Sequence, residues 1–94
     1  MTKSELINIE NVIQSFESSH IWEFDKYVMN NKGLSQKERN IFGEIWRNAG
    51  EIKLWNYSDL TVGCTNSRNY IKNNYDLSEK SISKIVNALS YSWR

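Results

Sequence analysis

The stretch "NNYDLSEKSISKIVNAL", Asn73 to Leu89, decides what kind of chain this is. Leu77 precedes Ser78, whose hydroxyl can accept from the free amides of a helix start, and Ile82 follows four positions after that cap. This is the spacing of a hydrophobic staple, so a helix is expected from Glu79 to about Leu89. Within it Ile82 and Ile85 share an inward face, while Ser78, Glu79, Lys80, Ser83, Lys84 and Asn87 fall outward. Residues 66–74 are also helical in character, which leaves only Tyr75, Asp76, Leu77 and Ser78 between two helices. The chain therefore ends in a tightly turned helix pair.

Upstream, "LSQKERNIFGEIWRNAG" (residues 34–50) carries a capping box, in which Ser35 and Glu38 can answer each other's unpaired amides. Ile41, Phe42, Ile45, Trp46 and Ala49 follow on one face, and Gly50 should end the helix. Thr2 and Glu5 have the same box spacing, and the stripe Leu6, Ile9, Ile13 and Phe16 predicts a first helix running to about Glu17. A second helix, marked by Ile21, Phe24, Tyr27 and Val28, should stop at Gly33 in a left-handed terminator. Glu51 to Trp55 alternates polar and apolar, the period of a short half-buried strand. After it, Ser58-Asp59-Leu60 should open a short turn or helix ending near Gly63, with Thr65 capping the next helix.

At 94 residues the chain is expected to be one domain, spanning 1–94. Four Trp, five Tyr and three Phe promise an aromatic-rich core, and the absence of Pro leaves long helices unbroken. The expected fold class is mainly α. Cys64 and His20 are the only residues of their types, so neither a disulfide framework, a metal site nor a cofactor is expected. The reducing cytoplasm fits best, and no apolar run is long enough for a membrane span. Charge is distributed unevenly. Residues 1–25 set Lys3 against Glu5, Glu10, Glu17, Glu23 and Asp25, a balance of −4, so the rest must carry +5 to reach the total of +1. The chain thus reads as an acidic helical part, 1–33, and a more basic part, 34–94, that contains the turned helix pair.

Residues 68–87 resemble the helix-turn-helix DNA-binding superfamily. The apolar positions that set its helix packing fall on Ile71, Tyr75, Leu77, Ile82 and Ile85. Two positions depart from its pattern: Lys72 stands where a small residue is usual, and Asp76 where the turn usually has glycine. The resemblance implies that the last helix enters the major groove of double-stranded DNA, with Ser78, Lys80, Ser83, Lys84 and Asn87 facing base edges or phosphates. Arg68 and Lys72 would then meet the phosphate backbone. The order of capped helix, short strand and helix pair is similar to a winged helix with one strand. Residues 90–94 are too few for the hairpin wing and leave room for an edge strand or an aromatic plug. Residues 34–89 also resemble small phage-borne proteins of unknown role, which implies a mobile-element origin and no particular activity.

Two functional classes follow. The first is a phage or mobile-element regulator of transcription that binds DNA sequence-specifically, as a homodimer built on the apolar stripe of the first helix. The second is a phage-encoded inhibitor of a host protein, binding through Trp22 with Glu23 and Asp25 as an acidic, DNA-mimicking surround. Either Trp22 anchors a partner or it completes the core. An enzyme is not expected, because the chain offers no nucleophile and base pair and no glycine-rich phosphate loop.

Overall fold

The computed structural model describes residues 3–17, 19–56 and 59–93. Its elements are α1 (Lys3–Ser15), a 3-10 turn (Ile21–Glu23), α2 (Phe24–Met29), α3 (Gln36–Ala49), α4 (Ile52–Trp55), α5 (Leu60–Asn74) and α6 (Glu79–Ser92). No strand occurs among the described residues, and the fold is mainly α as expected. None of their helices is long and apolar enough to cross a membrane.

α1 forms because Leu6, Ile9, Val12 and Ile13 recur at helical spacing and all are buried. It stops at Ser15, two residues earlier than expected, where the Ser15 hydroxyl donates back to the Val12 carbonyl at 2.7 Å. The Thr2 end of its capping box lies outside the described residues. The stripe expected to make a homodimer is covered within the chain: Leu6, Ile9, Ile13 and Phe16 are all buried in the core formed with α3 and α6. That stripe is therefore not an open apolar face.

The capping box of α3 is present in full. The Glu38 amide donates to the Ser35 hydroxyl at 3.1 Å, and Glu38 Oε1 accepts from the Ser35 amide at 2.8 Å. The other carboxylate oxygen accepts from the Asn8 side chain at 3.0 Å and ties the start of α3 to α1. These bonds to the charged form, led by the Ser35 amide, outweigh burial and hold the Glu38 carboxyl below its ordinary value. Leu34, just before the cap, is buried as the staple requires. Ile41, Phe42, Ile45 and Ala49 then line the inner face.

Several expected breaks resolve differently. The second helix is split into the 3-10 turn and α2, and Gly33 has no left-handed backbone. Gly33 instead donates to the Asn31 side chain at 2.8 Å, a local turn that needs no special backbone. Ile52–Trp55 is one helical turn and not a strand. With no neighbouring strand to pair with, its backbone groups are satisfied locally, beginning with the Leu54 amide donating to the Glu51 carbonyl at 3.0 Å. The Trp55 indole N–H donates to the Ala49 carbonyl at 2.9 Å, closing the end of α3. Its ring lies on Gly63, where an added Cβ would stand 2.3 Å from Trp55 Cε3. Gly63 therefore sits inside one continuous α5, capped by Asp59, because the helix must let an indole approach its backbone. Trp93 stacks on Trp55, its ring 6.3 Å away and nearly parallel at 3°. Trp93 is exposed and does not plug the core, and α6 runs to Ser92 in place of an edge strand.

Candidate functional site

Of all helix pairs, α5 and α6 pack together most extensively, and the connection between them is the turn foreseen at residues 75–78. Ile71, Tyr75, Ile82 and Ile85 are buried, and Leu77 is half-buried against the core. Neither departure disturbs the turn. Lys72 points to solvent, so it does not crowd the helix approach, and no described residue has a positive φ, so Asp76 needs no left-handed backbone. Tyr75 leaves α5 in extended conformation, and its hydroxyl donates to Glu44 Oε1 on α3 at 2.8 Å. Burial, reinforced by that carboxylate and by Tyr70, pushes the Tyr75 phenol up and keeps it a donor.

The residues expected at DNA have mostly found partners inside the protein. Arg68 Nη1 lies 2.9 Å from Glu79 Oε2 and donates to the Ser83 hydroxyl at 3.4 Å. Lys72 Nζ is 3.4 Å from the other oxygen of Glu79. Ser78 caps α6, and its hydroxyl also accepts from Gln14 of α1, while its amide is held by the Glu10 carboxylate. A carboxylate thus already occupies the α6 N-terminus, where a phosphate would otherwise bind. Lys84, expected to face a duplex freely, is half-buried: its ammonium donates to the Phe16 carbonyl at 2.6 Å and to the Gln14 carbonyl at 3.1 Å. It closes the carboxyl end of α1, whose last turn has no basic residue of its own. Lys80 and Asn87 remain exposed on the outer face.

Arg68, Ser83, Lys84 and Asn87 line one groove of about 370 Å³ between α5 and α6, together with Cys64 and Val86. Lys84 and Asn87 also line a second groove of about 200 Å³, shared with Phe16 and Glu17. Those last two residues in turn border a third groove of about 570 Å³ beside α2.

Trp22, whose chain neighbours Ile21 and Glu23 line two of these grooves, has 54% of its surface exposed, so it does not complete the core. Its ring stacks on His20 at 4.9 Å and meets Tyr91 of α6 at 5.7 Å. Lys80, Lys84, Asn87 and Tyr91 succeed each other at helical spacing, so the residues expected for DNA and the residue expected for a protein partner share one side of the molecule. Glu23 lies 3.9 Å from His20 Nδ1, and Asp25 is half-buried in the first turn of α2. Tyr91 was missed in the sequence because the last helix was expected to end at Leu89, and His20, which reads as a capping or surface residue, is exposed at the start of the 3-10 turn without a side-chain cap. Among the described residues no group of three His, Cys, Asp or Glu could hold a metal ion. Comparison with protein-family models, curated proteins and solved structures finds no match to this chain.

Proposed function

We propose that this chain is a protein-binding module whose anchor is Trp22. The observation that carries the reading is the exposed indole, stacked on His20 and packed against Tyr91. An aromatic ring already fixed by its neighbours offers a large contact area with little entropy to lose, which is the character of an interface hot spot. Glu23, its exposed neighbour in the chain, favours a basic partner surface, whereas Asp25 is half-buried. The resemblance to small phage-borne proteins implies a mobile-element origin and no particular activity; an inhibitor of a host protein is the form of this reading that suits such an origin. In a capture experiment, immobilised wild type is compared with Trp22→Ala and Lys80→Glu after nuclease treatment of a cell extract. Capture that survives nuclease and is lost only with Trp22→Ala is expected; capture that nuclease abolishes would overturn the reading.

A second reading, sequence-specific DNA binding, draws on the buried offsets Ile71, Tyr75, Ile82 and Ile85 and on the outward row Lys80, Ser83 and Asn87. It takes second place for an electrostatic reason. Duplex affinity comes from cations that trade counterions for phosphates. Here Arg68 and Lys72 are paired with Glu79, and Lys84 with the Gln14 and Phe16 carbonyls, leaving Lys80 as the uncommitted cation on this face among the described residues. Fluorescence anisotropy with random duplexes at about 50 and 200 mM salt tests it, because phosphate-driven binding must weaken steeply over that range. Salt-insensitive signals, or full binding by Lys80→Glu, would remove this reading.

A further inference from the structure

We infer that the groove beside α2 accepts an arginine side chain presented by the protein partner, an inference that rests on the protein-binding reading and names what the partner carries. The groove, about 570 Å³, is floored by Phe16 and Tyr27, whose rings lie 5.2 Å apart at 60°. Tyr27 is held in place by a 2.6 Å hydrogen bond between its hydroxyl and that of Ser15, so the exposed part of its ring is a fixed platform. Glu17 and Glu23 stand on the rim and are both exposed. Lys26 shares that rim but forms no ion pair with either carboxylate among the described residues. The rim therefore carries more negative than positive charge above an aromatic floor.

That combination selects the occupant by charge complementarity. A guanidinium is planar, stacks on an aromatic face and presents parallel N–H groups to a carboxylate. It is also less strongly hydrated than an ammonium, so it gives up less on entering a half-apolar groove. A phosphate-bearing partner is disfavoured, because the two carboxylates outnumber the one ammonium, that of Lys26, on the rim. The Asn30 side chain at the end of the groove adds a neutral hydrogen-bonding group.

The test needs no identified partner, so its outcome bears on the groove separately from the capture experiment. Uniformly 15N-labelled protein is titrated with N-acetyl-arginine amide and, in parallel, with N-acetyl-citrulline amide, its uncharged counterpart of nearly the same shape. Saturable amide shifts confined to residues around Phe16, Tyr27 and Asn30 are expected with arginine and not with citrulline. The double variant Glu17→Gln, Glu23→Gln should keep the wild-type spectrum elsewhere and lose saturation. Equal responses to arginine and citrulline, no saturation with arginine, or an unchanged response in the double variant would each overturn the inference. If nuclease-resistant capture is seen while arginine leaves the spectrum unmoved, the groove inference fails and the protein-binding reading stands.

Discussion

Replacing Lys84 with methionine removes the ammonium that closes α1 while keeping an unbranched apolar stem of similar length. Two hydrogen bonds are lost, to the carbonyls of Phe16 and Gln14 at 2.6 and 3.1 Å. A net hydrogen bond contributes about 0.5–1.5 kcal/mol, and a cation at a helix carboxyl end about 0.3–1 kcal/mol. Lys84 borders a groove, so water can reach the freed carbonyls and recover part of the loss. The expected cost is therefore about 1–2 kcal/mol, at the lower end of that sum. For a domain of this size each kcal/mol lowers Tm by about 4–8 °C, so circular dichroism melts should shift down by about 4–16 °C. Lys80→Met is the control: it sits on the same helix, exposed and without an ion pair among the described residues, and should change stability by no more than about 0.5 kcal/mol. If the two variants melt together, Lys84 is not a structural cap and the account of its position is wrong.

Ile85 is fully buried beneath α6, so Ile85→Ala should cost about 2–5 kcal/mol in denaturant unfolding; a loss below about 1 kcal/mol would mean that the neighbouring side chains collapse into the space. Gly63→Ala pushes a methyl into the Trp55 ring and should destabilise by about 1–3 kcal/mol despite the better helix propensity of alanine. A stabilised Gly63→Ala would show that α4 shifts freely away from α5. Glu38 has a lowered pKa in the folded state, so its contribution to stability is present above its ordinary value of 4.5 and is lost as pH falls through the lower folded value. Glu38→Gln should therefore flatten the acid limb of the stability profile below about pH 4.5, and an unchanged acid limb would contradict the capping-box account.

The parts legible in the sequence were those whose cause lies within one turn of backbone. Ser35 and Glu38 satisfy each other's amides without any remote partner, and Ser78 accepts from the Ser81 amide three residues on, so both helix starts stand where the spacing puts them. The inward positions of α3 and α6 were equally plain, because the helical period assigns a face before any packing occurs. The rest depended on contacts between distant residues. Alternation at 51–55 reads as a strand, but a strand needs a neighbour to bond with, and the nearest partner for Trp55 is the Ala49 carbonyl at the end of α3. Gly63 reads as a break, yet it lies in a helix because the Trp55 ring occupies the space where its Cβ would stand.

The candidate site divides along the same line. Sequence spacing placed Lys80, Ser83, Lys84 and Asn87 on one side of a helix, and that is where they lie. Whether each was available to a partner depended on where α1 ended and where Glu79 and Glu10 came to rest, and those are separations of up to 70 residues along the chain. Trp22 shows the converse. Nothing local distinguishes a tryptophan that fills a core from one that lies on the surface, and only the closure of α6 against the 3-10 turn left it stacked beside Tyr91 and open to solvent. Periodicity and capping are short-range effects and can be read in order along the chain. A side chain's freedom to bind is set by which distant groups reach it first.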